Sequence, residues 1–204
     1  MRAALIGYSG HSFVIIDTLL SLSYNIEGYC EQQEKNYNPF GISYLGSEKN
    51  ARTLEQLKNI DVFLGLGDNK LRSKIYLHLI ENGISCPSIK HTKAIVSPTV
   101  SIGKATVIMP GAIINAMAKI GAAVICNTSS VIEHECIIGN YTHIAPGAVL
   151  AGNVKVGDGS FIGANAVIKQ GVTIGSNVTI GAGAVVIKDI EDGLTFFGNP
   201  AKKR

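Results

Sequence analysis

The residues best placed to do chemistry lie between positions 126 and 143. Ile132-Glu133-His134-Glu135-Cys136 gathers three ionisable side chains in five residues, and His143 follows nine residues after His134. An imidazole titrates near neutrality and can take a proton from an amine or a hydroxyl. A carboxylate beside it orients the ring and raises its basicity. Neighbouring residues of a strand face apart, so His134 and Glu135 can pair only at a corner or in a loop. Asn127, seven residues before His134, adds a further polar group. Cys126 and Cys136 share the stretch but occupy the positions that point into a core, and both are read as packing residues.

These residues sit inside a repeat. From Val96 to Val186 every sixth residue is aliphatic, with Cys126 the one substitute, and no insertion breaks the phase. Four residues after each comes a second series, Val100 to Ile190, that is nearly all small or β-branched. A fixed six-residue period is the signature of a solenoid. Wound as three faces of one hexad each, it has 18 residues per turn and turns stacked at about 4.8 Å, which predicts a prism roughly 25 Å tall. The aliphatic series points inward, and Gly103, Gly121, Gly139, Gly157, Gly163, Gly175 and Gly181 are expected at corners that need unusual φ. Residues 18 apart form one column, so Ala164 and Ala182 stack above Pro146, whereas His134 belongs to a different face. A single chain cannot easily bring these together. A threefold assembly can, and a trimer with its sites at subunit interfaces is expected.

The first ninety residues read differently. Arg2 to Ile6 is a short apolar run ending in Gly7-Tyr8-Ser9-Gly10-His11. A helix from Ser12 to Leu22 follows, with Phe13, Ile16, Leu19 and Leu20 at helical spacing, and then a strand from Asn25 to Cys30 that closes on Glu31. Such a βαβ unit, with glycines that let backbone approach a phosphate and a helix N-terminus behind them, suits an anionic ligand. A third strand, Asp61 to Leu66, leads through Gly67-Asp68-Asn69 to a helix from about Lys70 to Asn82 with Leu71, Ile75, Leu79 and Ile80 as its buried stripe. If the sheet is parallel, Gly67 lies beside the first glycine turn, at the edge where open α/β sheets bind ligands. Residues 32–50 are polar and turn-rich and promise little core. Cys86 to Ile89 is expected as a last strand. The boundary falls between Lys90 and Ala94, giving an α/β domain over 1–90, a coil over 91–190, and a cap or tail over 191–204 that leaves the hexad phase.

Composition narrows the function classes. With 46% hydrophobic and 16% charged residues the chain can bury a core. A net charge of +3 with no Trp argues against nucleic acid. No apolar run is long enough for a membrane span, and the four cysteines have no CxxC spacing. A reduced, cytoplasmic protein is expected. His134 and His143 are the two histidines of the repeats, too few for a zinc site of their own, and no metal is expected.

Taken together, Gly7-Tyr8-Ser9-Gly10-His11, Leu66-Gly67-Asp68-Asn69, the run from Asn127 to Cys136 and Gly198-Asn199-Pro200-Ala201-Lys202 resemble the hexapeptide-repeat nucleotide-sugar N-acetyltransferases of bacteria. That family includes the UDP-4-amino-sugar acetyltransferase of bacillosamine synthesis and is similar to sialic-acid O-acetyltransferases. The resemblance spans residues 3–204. It implies a Rossmann-like α/β domain followed by a left-handed parallel β-helix, acetyl-CoA as acetyl donor and a nucleotide-linked amino sugar as acceptor. It implies His134 as general base, Glu135 as the group that tunes it, and Asn127 as an acceptor contact. It further implies His143, Ala164 and Ala182 along acetyl-CoA, and Ser9, Gly10, His11, Glu31 and Gly67 around the nucleotide. Three departures bear on this, the first being Asp68 where asparagine is common, which adds negative charge near a phosphate site. Ser12 stands where relatives often carry glycine, and the acidic pair expected after the second strand is reduced to Glu31-Gln32. A GDP-linked acceptor, sialic-acid O-acetylation, or a β-helix scaffold or metal-binding trimer without transferase activity are the alternatives.

Overall fold

A computed structural model describes the whole chain, Met1–Arg204. The first part is a four-stranded parallel sheet: β1 (Arg2–Ile6), β2 (Asn25–Cys30), β3 (Ser43–Gly46) and β4 (Asp61–Leu64), in the order β3-β2-β1-β4. Three helices, α1 (Gly10–Ser21), α2 (Ala51–Leu57) and α3 (Asn69–Glu81), cover its two faces. The edge strand β3 arises inside the polar segment from which no core was expected. It pairs through its backbone, and only its side-chain content was poor.

Both predicted helix stripes are displaced. In α1 the buried residues are Ser12, Ile15, Ile16, Thr18 and Leu19, while Leu20 is exposed. This helix is pressed between the sheet and the repeats, so its buried sector is wider than and rotated from an ordinary amphipathic stripe. In α3 the buried residues are Arg72, Ile75, Tyr76 and Leu79, with Leu71 and Ile80 on the outside. The stripe is thus led by an arginine.

The repeats form a three-sided left-handed parallel β-helix of two-residue strands. The first face runs from Ile89–Lys90 through Val107–Ile108, Ile125–Cys126, His143–Ile144 and Phe161–Ile162 to Thr179–Ile180. The second runs from Ile95–Val96 to Val185–Val186, and the third from Ser101–Ile102 to Thr173–Ile174. The expected strand over residues 86–89 therefore reduces to the coil's own first rung, Ile89–Lys90. Both predicted series line one continuous core. Burying an aliphatic side chain is worth about 1.5–3 kcal/mol, and a series of such positions, broken only by Cys126 and fully buried from Ile108 onward, explains why so short a strand persists.

The corner glycines act otherwise than expected. Gly103, Gly121, Gly139, Gly157, Gly163, Gly175 and Gly181 do not occupy the left-handed region; a Cβ on Gly103 would lie 2.5 Å from the Gly121 backbone of the next turn. They are spacers between stacked turns. The left-handed residue comes two positions later, and fourteen consecutive corners from Ala105 to Gly183 have one, among them Glu135 (φ 61°) and Tyr141 (φ 59°). At the far end, Thr195–Phe197 extends the first face over Thr179–Ile180, and Lys202–Lys203 folds back antiparallel on it to close the prism.

The sheet domain lies on the first face. Leu5, Ile15 and Phe63 meet Ile89, Val107 and Ile125 in one cluster, while Tyr76 and Leu79 of α3 meet Ala105 and Ala123 in another. No helix is long and apolar enough to cross a membrane.

Candidate functional site

The two glycine turns meet at the carboxyl edge of the sheet, because β1 and β4 are neighbours. Gly7 adopts φ +91° and Gly65 packs against Ser12, so these two shape the turns themselves. Gly10 and Gly67 are different: both are exposed, and a side chain at either would meet nothing within 4 Å. Their bareness serves no internal packing and leaves backbone open to a ligand. Ser12 is wholly buried, taking the Ser9 N–H at 2.7 Å and donating to the Ser9 carbonyl at 2.6 Å. The serine that departs from the usual glycine thus stiffens the turn. One oxygen of Glu31 is engaged at the same place, accepting from the Tyr8 N–H at 3.0 Å and lying 3.4 Å from Lys35 Nζ.

Directly beside these turns stands His143, on the first face just above the apolar contacts of the junction. Its Nε2 is 3.0 Å from Asn127 Nδ2, and Asn127 Oδ1 accepts from the Thr128 N–H at 2.8 Å. That second bond orients the amide. Its nitrogen can only donate, so Nε2 of His143 accepts and the imidazole proton sits on the buried Nδ1, which makes no well-formed hydrogen bond and has only a weak one toward the Gly67 backbone. Burial, helped by the charges of Arg72 and His11, pushes the His143 pKa down to about 3, with the Gly67 backbone the smallest and opposing influence. The His11 ring lies 6.2 Å away, centroid to centroid; burial and then Arg72 hold its pKa near 4, and its Nε2 is likewise buried without a partner. Both rings are neutral at pH 7. Above them a cleft of about 610 Å³ opens between the residues from Gly67 to Lys70 and the outward side chains of Phe161 and Thr179.

The corner after the first face also carries the alanine column. Gly147 N–H bonds to the Thr128 carbonyl, Asn165 N–H to Pro146, and Gly183 N–H to Ala164, at 2.8–3.0 Å, so Thr128, Pro146, Ala164 and Ala182 stack as the phase requires. Asn127 lies at this corner and meets His143, which His11 and Gly67 flank from the sheet domain.

His134 and Glu135 do not join them. They occupy the next corner, at the opposite edge of the second face, where His134 Nδ1 lies 3.1 Å from Glu135 Oε2. The left-handed backbone at Glu135 is what lets two consecutive side chains turn toward each other. The His134 ring lies over Gly152 of the following turn, with no room there for a side chain. Between the two edges, the outward residues of the second face are Ile95, Ile113, Val131, Val149, Val167 and Val185, aliphatic throughout, and Ile95 and Val167 are 66% and 41% exposed. The outward residues of the third face are mostly polar: Ser101, Lys119, Ile137, Lys155 and Thr173. The two thiols of the repeats are buried: Cys126 is pushed up to about 12, and burial raises Cys136 as well.

Arg72 was missed. It is buried to 1% exposure, with Nε donating to the Ala123 carbonyl at 2.8 Å, Nη1 to Leu66 and Gly67 at 3.1 and 3.0 Å, and Nη2 to Asn69 Oδ1 and the Tyr141 carbonyl at 2.7 and 2.8 Å. The signal was its spacing, three before Ile75 and seven before Leu79, which puts it in register with the core of α3.

Residues 2–79 match the family described as the PglD N-terminal domain, and residues 153–188 match the bacterial transferase hexapeptide repeats. The acetyltransferase domain of PglB from Neisseria gonorrhoeae is 35% identical, with 100% of this chain and 99% of that one covered at a TM-score of 0.92; the same domain has been solved in complex with acetyl coenzyme A. PerB from Caulobacter crescentus, in complex with CoA and GDP-perosamine, is 33% identical over 100% and 97% of the two chains, with a TM-score of 0.92. WeeI from Acinetobacter baumannii is 25% identical over the whole of both chains, with a TM-score of 0.85.

Proposed function

Because the chain belongs to the hexapeptide-repeat nucleotide-sugar acetyltransferases with a PglD-type N-terminal domain, we propose that it moves the acetyl group of acetyl-CoA onto the amine of a UDP-linked 4-amino sugar. The bare turns at Gly10 and Gly67, with Ser9 and His11, hold the nucleotide diphosphate. The alanine column gives the pantetheine arm a smooth groove, since a methyl is the largest side chain at either Ala164 or Ala182. The amine lone pair attacks the thioester carbonyl, the C–N bond forms, and collapse of the tetrahedral intermediate expels the CoA thiolate. His134, oriented by Glu135, takes the proton that the nitrogen sheds and returns it to the thiolate. His143, neutral and held at Nε2 by Asn127, forms a fixed polar wall beside the reacting acetyl group.

The observation that carries this reading is the division of these groups between the two edges of one aliphatic face. Packing second faces around a threefold axis buries the aliphatic row and sets His134 of one subunit against the alanine column and His143 of the next. A complementation experiment tests it. His134→Ala and His143→Gln are each expected to be weak as homotrimers, His134→Ala by about 10²–10⁴ in turnover. Reassembled together they regain activity if sites are shared, and stay weak if each chain is self-sufficient. A panel of UDP- and GDP-linked amino sugars, read by release of CoA thiol, identifies the acceptor. The GDP-perosamine bound by the Caulobacter relative makes a GDP-linked sugar the second reading, and turnover with no amino sugar of either series refutes both.

A further inference from the structure

The corner between the third and first faces repeats every 18 residues, and Ala123, Tyr141 and Gly159 are its left-handed residues on three successive turns. Each donates its N–H to the turn below, at 2.8 Å, but none of their carbonyls accepts an N–H from the coil's backbone ladder. They form a column of unused acceptors at the coil's own pitch of about 4.8 Å. The first turn of α3 takes three of them in order. Arg72 Nε donates to Ala123 and Nη2 to Tyr141, and Asn69 Nδ2 donates to Gly159 at 2.9 Å. The same guanidinium holds the Leu66 and Gly67 carbonyls through Nη1. No carboxylate contacts Arg72; its fork of donors is spent on backbone carbonyls and Asn69.

The apolar contacts of the junction already fix the sheet domain to the first face, but apolar contact tolerates sliding. Directional bonds do not. A shift of one turn would present Gly67 to Ile125 or Phe161 instead of His143, the neighbours of His143 on that face. We propose that Asn69 and Arg72 act as positioning residues that set the height of the nucleotide loop on the coil, and so the span between the bound diphosphate and the amine that is acetylated. This rests on the reading of Gly67 as a nucleotide contact and of His143 as a group beside the acetyl donor. The pair measures the sugar nucleotide and selects the ring position of its amine.

Arg72→Lys keeps a positive charge but cannot reach all these acceptors, and Asn69→Ala removes the top contact from a half-exposed residue. In each, the acceptor KM is expected to rise about ten-fold or more, with the acetyl-CoA KM unchanged. The preference among sugar nucleotides with the amine at C-4, C-3 or C-2 is expected to fall toward unity. Melting and light scattering check that fold and assembly survive. Turnover that falls only with the folded fraction, at unaltered acceptor KM and unaltered amine preference, overturns the proposal. If Arg72→Lys does not fold, Asn69→Ala decides by the same readouts. His143→Gln and Gly67→Val run in parallel separate the two layers. If those leave acceptor kinetics intact, the site reading fails; if they impair acceptor use while both clamp variants behave as the parent, the clamp alone fails.

Discussion

Substituting Gly152 tests the role of His134 without touching an ionisable group. A Cβ at Gly152 would lie 2.5 Å from Cε1 and Nε2 of His134 and 3.2 Å from Nδ1. Ordinary contact begins near 3.5 Å, so Gly152→Ala forces the ring back by about 1 Å. That is enough to part Nδ1 from Glu135 Oε2, now 3.1 Å away, and to displace the base from its proton. A misplacement of that size costs about 10²-fold in rate, or ~3 kcal/mol of barrier. Stability should hardly change. Gly152 is outside the left-handed region, and the His134 side chain is 51% exposed and can swing into water, so the loss stays within about 1 kcal/mol. Turnover is measured by thiol release from acetyl-CoA and stability by thermal melting. Because both substitutions act on one group, His134→Ala combined with Gly152→Ala should be no slower than His134→Ala alone. A Gly152→Ala enzyme with the parental kcat, or a double variant whose losses multiply, would refute a catalytic His134 held by this corner.

Three further outcomes are expected. His11 and His143 are held neutral in the fold, with pKa values near 4 and 3 against an ordinary value of 6.5; below pH 6.5 the unfolded chain binds protons the native state refuses, so stability falls as pH drops from about 6.5 toward 4, by order 1 kcal/mol per pH unit per histidine. Melting midpoints across that range check it, and His143→Gln should flatten the dependence. Val167→Glu places a charge on the exposed aliphatic face without entering the core; light scattering should then report monomers, and turnover should vanish with the coil's circular dichroism intact. Cys126→Ala should keep full turnover and lose about 1 kcal/mol of stability, and iodoacetamide should leave native Cys126 unmodified, because burial keeps that thiol protonated.

The coil was legible because its rule is periodic: one inward position in six, repeated without slippage, determines faces, columns and the separation of His134 from Ala164 and Ala182. The same periodicity hid the corner chemistry. Left-handed backbone falls on Ala, Met, Ser, Glu, Tyr and Asn as readily as on Gly in this chain, since each corner is enforced by the stacked turns around it and not by its own residue. Glycine content therefore pointed to the wrong position of the hexad. In the sheet domain the order of β1, α1, β2, β4 and α3 was readable from apolar runs and turns. The faces of α1 and α3 were not, because each helix is buried against a second body that its own sequence does not announce. Arg72 follows from this: its burial depends on carbonyls that the coil, and not its own helix, supplies.

The ladder of the coil has one more consequence. Below the closing end, rung bonds join a residue to one seventeen positions on, as from Ile113 N–H to the Ser130 carbonyl and from Val131 N–H to the Ala148 carbonyl. Rungs are therefore interchangeable parts. A gene segment encoding eighteen residues can be lost or duplicated at any corner, and every remaining bond finds an equivalent partner. The prism can grow or shrink in whole storeys while its cross-section stays constant.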